Sequence, residues 1–233
     1  MPKNDPSADV EKMYFYESFA EQFDSKMNMY DLRKRVAVVF DELLGGHELG
    51  GKTLLDAGCG TGWFSKRAVE RGAVVTSMDL GENLLGEVAK KCESHRVIGS
   101  ILEMPFPDNH FDYVISSEVI EHVPAPHRAI DELYRVLKPG GTLVITTPNR
   151  VWHFSVSIAN RLKLRPYQGL ENWVGYAEMR KKFEQLGLRD IRMKGIHLFP
   201  FVSPLFYPIL DRLHRWGKTL GPLMVNLAVS GKK

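Results

Sequence analysis

The run Thr53-Leu54-Leu55-Asp56-Ala57, followed at once by Gly58-Cys59-Gly60-Thr61-Gly62, constrains this chain more than any other feature. A short apolar strand that breaks into alternating glycines and resumes as a helical pattern over 63–71 reads as a nucleotide-binding turn. Glycines take tight dihedrals and let a ligand approach the backbone. Such turns lie at the carboxyl ends of the strands of an open α/β sheet, where ligands bind. The following sequence keeps alternating. Residues 73–78 are a β-branched run ending at Asp79, 83–92 read as a helix, 96–101 as a weak strand and 111–116 as a strong one. Residues 127–137 read as a helix stopped by Lys138-Pro139-Gly140-Gly141, and 142–147 as another strand. Further on, 176–186 read as a helix, and 189–198 and 224–230 as strands. Strands alternating with helices imply parallel, right-handed crossover units covered on both faces, a doubly wound, Rossmann-like α/β fold.

The 233 residues suit one domain with a modest lid. Residues 1–45 read as a loose tail and a helical cap, with Phe15, Phe19 and Phe23 at steps of four and helical pattern from 10 to about 44. Gly45-Gly46 and Gly50-Gly51 mark a linker into a core over 46–150, and 151–233 read as a substrate lid with the last strands. A net charge of +3 without a long basic run argues against a nucleic-acid partner. The two cysteines, Cys59 and Cys92, form no Cys-x-x-Cys pair, which suits a reducing, cytoplasmic setting. Residues 1–12 lack the apolar centre of a signal peptide. The most apolar stretch, 196–210, is shorter than a bilayer span of about 20 residues and carries Pro200, Pro204 and Pro208.

Asp79 stands 17 residues past Gly62, where an acid accepts hydrogen bonds from both hydroxyls of a ribose. A dinucleotide enzyme is the obvious rival reading, and two details oppose it. The third glycine comes one residue too early for Gly-x-Gly-x-x-Gly, and an acid, Asp56, precedes the turn. A carboxylate there repels a pyrophosphate but attracts the ammonium and sulfonium of S-adenosylmethionine.

The segments Asp56 to Gly62, Met78-Asp79, Met104-Pro105-Phe106-Pro107-Asp108-Asn109-His110-Phe111-Asp112 and Leu137-Lys138-Pro139-Gly140-Gly141 together resemble the successive motifs of class I S-adenosylmethionine-dependent methyltransferases. The resemblance covers roughly residues 50 to 150 and implies a seven-stranded, mostly parallel sheet whose final strand pair is antiparallel. It also implies that Asp56, Gly58, Cys59 and Gly60 face the amino-acid part of the cofactor. Asp79 and Leu80 would face its ribose, and Ser100, Ile101 and Leu102 its adenine. Ser100 departs from the family, which often has an acid there to bond the adenine amino group.

The catalytic candidates follow the fourth strand, in Ser116-Ser117-Glu118-Val119-Ile120-Glu121-His122-Val123. If this stretch is helical, Glu118 shares a face with Glu121 and His122. Two carboxylates and an imidazole suit a hard divalent cation such as magnesium, which would acidify a bound phenol. Alternatively His122 is a base without metal, or the Glu-His pair only shapes the turn before Pro124. The segments 72–81, 117–126 and Thr147-Pro148-Asn149-Arg150, with Gly195-Ile196-His197, look like the ubiquinone-biosynthesis O-methyltransferase family. That narrower resemblance implies a phenol, catechol or quinol acceptor, possibly lipidic. It also implies a cation on Glu118, Glu121 and His122, cofactor contact at Ser117, and Arg35 on the cofactor carboxylate. Trp152, Phe154, Trp173, Tyr176, Phe199, Phe201, Phe206 and Tyr207 are interleaved with Lys163, Arg165, Arg212 and Arg215. They read as an apolar lid over the acceptor or a peripheral membrane contact. Core packing, a dimer contact or a small aromatic pocket are the other homes for them.

Overall fold

The computed structural model describes residue 17 and residues 20–155, 170–199 and 204–233. Phe15, Phe19, Lys163, Arg165 and Phe201 therefore lie outside the described residues. Two helices, α1 (Ala20–Lys26) and α2 (Met29–Ala37), come first, and a π-helical turn, Val38–Leu43, extends the second. Then follow β1 (Thr53–Ala57), α3 (Trp63–Glu70), β2 (Val74–Asp79), α4 (Glu82–Ala89), β3 (His95–Ile98) and β4 (Phe111–Ser117). The chain continues through α5 (Pro126–Val136), β5 (Leu137–Pro148), α6 (Tyr176–Gln185), β6 (Arg189–Ile196), α7 (Tyr207–His214) and β7 (Asn226–Lys232).

The seven strands form one sheet in the order β3-β2-β1-β4-β5-β7-β6. β1 to β5 pair in parallel, whereas β7 runs antiparallel to both β5 and β6. This is the expected mostly parallel, doubly wound architecture. Alternation along each strand fills both faces. Leu55 and Ala57 pack on one face with Ile130 and Leu133 of α5 and Phe183 of α6. Leu54 packs on the other with Leu32, Phe40 and Phe64. The order reverses between β1 and β4, so the carboxyl ends of these two strands flank the crevice where such sheets hold ligands.

Three elements differ from the pattern in the sequence. The N-terminal helical stretch breaks at Asn28, whose side-chain oxygen accepts from the Tyr30 and Asp31 amides and starts a new helix. α5 stops at Val136, and Lys138-Pro139-Gly140-Gly141, expected to end it, lie within β5, which begins at Leu137. It pairs Leu137 with Phe111 across an irregular register, and Gly140 takes φ 79°. After β4 the chain is not α-helical. Glu118 takes φ 57°, and only Ile120–His122 closes a short 3₁₀ turn. Glu118, Glu121 and His122 therefore do not share a helix face.

Candidate active site

The glycine loop is fastened to the second strand. The Gly58 and Cys59 amides both donate to the Met78 carbonyl oxygen, at 2.8 and 3.0 Å. Asp79 ties the loop from the same side: its Oδ2 accepts from the Gly60 amide at 2.8 Å and its Oδ1 from the Gly81 amide at 3.1 Å. Gly58, Gly60 and Gly62 all have positive φ, a region open to glycine at little cost. Their surroundings differ. A Cβ on Gly58 would lie 2.4 Å from Val119 Cγ2, so the loop abuts the segment leaving β4. A Cβ on Gly60 would meet nothing within 4 Å. This open cradle fits a ligand laid against bare backbone, with the Asp79 carboxylate beside it.

Asp56 is placed otherwise than expected. It shares the Leu54 face of β1 and is 1 % exposed, turned under α3 rather than into open crevice. Its Oδ2 accepts from Ser65 Oγ at 2.6 Å, which in turn lies 2.7 Å from Ser77 Oγ. Its Oδ1 is buried with no hydrogen-bond partner, a costly state. Burial pushes the Asp56 carboxyl up to about 7. Cys59 is buried with Leu85 and Val88. Leu80 is half-buried beside Asp79. Ser100, Ile101 and Leu102 turn at the end of β3, where Ser100 Oγ accepts from the Leu102 amide at 3.2 Å. Ile101 is buried in the core, leaving the half-buried Ser100 and Leu102 as the exposed part of that turn.

Across the crevice, α2 supplies Arg35, which is 8 % exposed. Its Nε donates to Asp31 Oδ2 at 2.9 Å and one terminal nitrogen donates to Ser117 Oγ at 3.3 Å. Ser117 Oγ lies 2.7 Å from Thr146 Oγ1. Glu118 Oε1 accepts from Thr146 Oγ1 at 3.0 Å and its Oε2 from Asn226 Nδ2 at 2.8 Å. Glu121 Oε2 accepts from Thr147 Oγ1 at 3.0 Å. Burial holds both carboxyls above the usual range; for Glu118 the positive charge of Arg35 opposes the rise and Glu121 adds to it. His122 turns another way, with Nδ1 2.9 Å from the Leu170 carbonyl oxygen and Nε2 3.8 Å from Glu121 Oε1. Glu118 thus bonds to β5 and β7, Glu121 bonds to β5, and His122 meets residue 170 with one ring nitrogen while the other faces Glu121. Among the described residues no group of three or more His, Cys, Asp and Glu is placed to hold a metal ion.

Several residues here carried no motif. Asp24 of α1 accepts from Thr61 Oγ1 at 2.6 Å and Trp63 Nε1 at 3.1 Å, and pairs with Lys91 at 2.9 Å. Thr146 and Asn226 line the carboxylates, beside Thr147 of the segment 147–150 singled out above, and Asp31 holds Arg35. Only the Asp31–Arg35 spacing of four gave any local signal. The aromatics of the expected lid serve several contacts. Trp152 donates to the Leu223 carbonyl oxygen at 2.8 Å, Trp173 meets His153 edge-on, and Tyr207 stacks on Tyr30 with centroids 3.8 Å apart.

Comparison with known proteins follows this geometry. The family described as "Methyltransferase domain" matches residues 55–145. A malonyl-[acyl-carrier protein] O-methyltransferase of Serratia marcescens is 42 % identical over 112 residues, 47 % of this chain and 44 % of that protein. The chain thus spans less than half of that relative. A ubiquinone biosynthesis O-methyltransferase of Coxiella burnetii is 32 % identical over 165 residues, 65 % of this chain and 70 % of that protein. In three dimensions the chain is similar to a magnesium protoporphyrin IX methyltransferase of Synechocystis, solved with bound SAH. The TM-score is 0.67 at 17 % identity, with 96 % of this chain and 98 % of that one covered. At that identity the likeness shows the fold alone.

Proposed function

Because this chain belongs to the class I S-adenosylmethionine-dependent methyltransferases, we propose that it moves the methyl group to a hydroxyl of an aromatic, phenol-, catechol- or quinol-like small molecule. The cofactor supplies a methyl on a positively charged sulfur. Asp79 would hold its ribose, the bare loop backbone around Gly60 and Arg35 its amino-acid end, and Ser100 and Leu102 the edge of its adenine. Asp56 would act through the loop, its buried carboxylate favouring positive charge above.

The observation that carries the acceptor reading is Glu118. It stands at the end of β4, in a left-handed conformation, next to Val119, which touches the glycine loop. A neutral hydroxyl is a poor nucleophile until its proton is removed. A carboxylate whose affinity for protons is raised by burial is a better base at neutral pH than an ordinary one. Each Glu118 oxygen accepts one bond from Thr146 or Asn226 and keeps a further lone pair. Glu121 adds a second negative group, so the acceptor side favours a neutral phenol over an anionic one.

A second reading has its own support, the 42 % identity with a malonyl-[acyl-carrier protein] O-methyltransferase. A carboxylate acceptor needs no base. Methyl-labelled cofactor incubated with catechols, quinols, carboxylates and amines, with and without a chelator, separates these readings. Label on a phenolic oxygen, undiminished by chelation, is expected. Label on carboxylates alone would establish the second reading, and loss of turnover on chelation would restore the cation.

A lipidic acceptor would require the protein to meet a lipid surface, and the segment around α7 offers one. Leu205, Phe206, Ile209 and Trp216 are at least half exposed, beside the exposed Arg212, Arg215 and Lys218. Apolar side chains among cations suit an anionic membrane interface. No helix among the described residues is long and apolar enough to cross a membrane.

A further inference from the structure

One buried group next to the site is not used by the chemistry above. His197 follows β6, is wholly buried and takes φ 60°. A non-glycine residue in that region is strained and persists where its surroundings hold it. Two observations show what holds it. Its carbonyl oxygen accepts from the Val225 amide at 2.8 Å, which joins the end of β6 to the start of β7. Its ring Nε2 lies 3.3 Å from Asp31 Oδ1.

Asp31 is therefore shared. One carboxylate oxygen faces the imidazole, and the other accepts from Arg35 Nε at 2.9 Å. A guanidinium is a rigid planar fork. A bond at Nε fixes its plane and leaves the terminal nitrogens to point elsewhere, here toward Ser117 at the end of β4. Asp31 could rotate if only Arg35 held it. With His197 on its second oxygen, in a strained backbone position that cannot drift, the carboxylate has one orientation.

We propose that His197 is a positioning residue that acts through Asp31 to aim the Arg35 guanidinium at the carboxylate of the cofactor. This rests on the reading of Arg35 given above. It links cofactor affinity to the connection between β6 and β7, on the acceptor side of the molecule.

The test uses two ligands that differ at the end Arg35 meets. S-adenosylhomocysteine carries the amino-acid carboxylate, and 5′-methylthioadenosine lacks it. Their dissociation constants are measured by calorimetry on the full chain, for the parent and for Arg35→Met, Asp31→Asn and His197→Gln. Loss of a charge-assisted hydrogen bond weakens binding about tenfold or more. The expected result is such a loss for S-adenosylhomocysteine in all three variants, with methylthioadenosine unchanged. The double variant Arg35→Met/His197→Gln should bind no more weakly than Arg35→Met alone. If His197→Gln does not fold, Asp31→Asn, which keeps the side chain's shape, gives the same reading. Equal weakening of both ligands would mean a merely structural role and would overturn the proposal, as would unchanged affinity in His197→Gln and Asp31→Asn. If Arg35→Met itself fails to distinguish the ligands, the reading of Arg35 falls and this inference with it. If Arg35→Met distinguishes them and the other two do not, the inference falls alone.

Discussion

Gly58 and Gly60 share positive φ but not surroundings, and this separates folding from binding. Gly58→Ala would drive a Cβ to 2.4 Å from Val119. It should cost roughly 2–4 kcal/mol of stability from strain and overpacking together. Gly60→Ala meets open space and should cost only about 1–2 kcal/mol, while weakening S-adenosylhomocysteine at least about tenfold by filling the cradle. Thermal unfolding and calorimetry on the two variants decide this, and equal stability losses would contradict it. Glu118→Gln keeps shape and loses the base. Turnover should fall about a hundredfold with cofactor affinity little changed, as single-turnover kinetics would show. The glycines and Asp79 were legible in the sequence because a turn between strand and helix allows few residue types. Asp56 was legible as an acid at the right place, but not in its direction. It shares a strand face with Leu54, and which helix covers that face is a tertiary fact.

At the scale of elements, the N-terminal helices pack beside the candidate site, a position the resemblance implied for Arg35 but not for Asp24. Asp24 of α1 clamps Thr61, Trp63 and Lys91 around the glycine loop. Asp24→Ala should weaken S-adenosylhomocysteine several-fold, since each hydrogen bond to a charged group contributes about 1.5–3 kcal/mol to whatever it orders. Affinity equal to the parent would show that the loop holds its shape without α1. Strands and helices between 53 and 148 were readable from periodicity because each is short, apolar and bounded by glycine, proline or acid. The stretch after β4 misled. Its Glu-x-x-Glu-His spacing suits a helix, but the Glu118 amide instead donates to the Thr146 carbonyl oxygen at 2.9 Å, drawing the chain along β5. Long-range pairing overrode local preference, so Glu118 does not share a helix face with Glu121 and His122.

For the whole molecule, the buried acids set the response to pH. Burial raises Asp56 to about 7 and also raises Glu118 and Glu121. Acids raised in the folded state stabilise it fully below their unfolded values near 4, and that contribution is lost as pH rises through the folded ones. The unliganded protein should therefore lose stability between about pH 5 and 8. The Asp56 share is at most roughly 4 kcal/mol, and Asp56→Asn should flatten that slope. Denaturant melts at several pH values check this; an unchanged slope in the variant would contradict it. On the outer surface, Ile209→Glu with Trp216→Ala should reduce flotation with anionic vesicles and leave turnover of a water-soluble acceptor intact. Equal flotation would dismiss the membrane contact. The mostly parallel sheet was legible because short strands alternate with helices around one glycine turn, whereas the antiparallel last pair was implied only by the family resemblance and the strand order emerges from the fold. The acceptor was not legible, because the residues proposed to meet it come from β4, β5 and β7, which come together only in the folded sheet.

The most direct test of the account is the position of the transferred carbon. The protein is incubated with ¹³C-methyl S-adenosylmethionine and a catechol, and the product is read by carbon NMR. The account predicts one new methoxy signal, formed in step with S-adenosylhomocysteine. A label found only on nitrogen, ring carbon or a carboxylate, or no transfer to any phenolic acceptor, would contradict it.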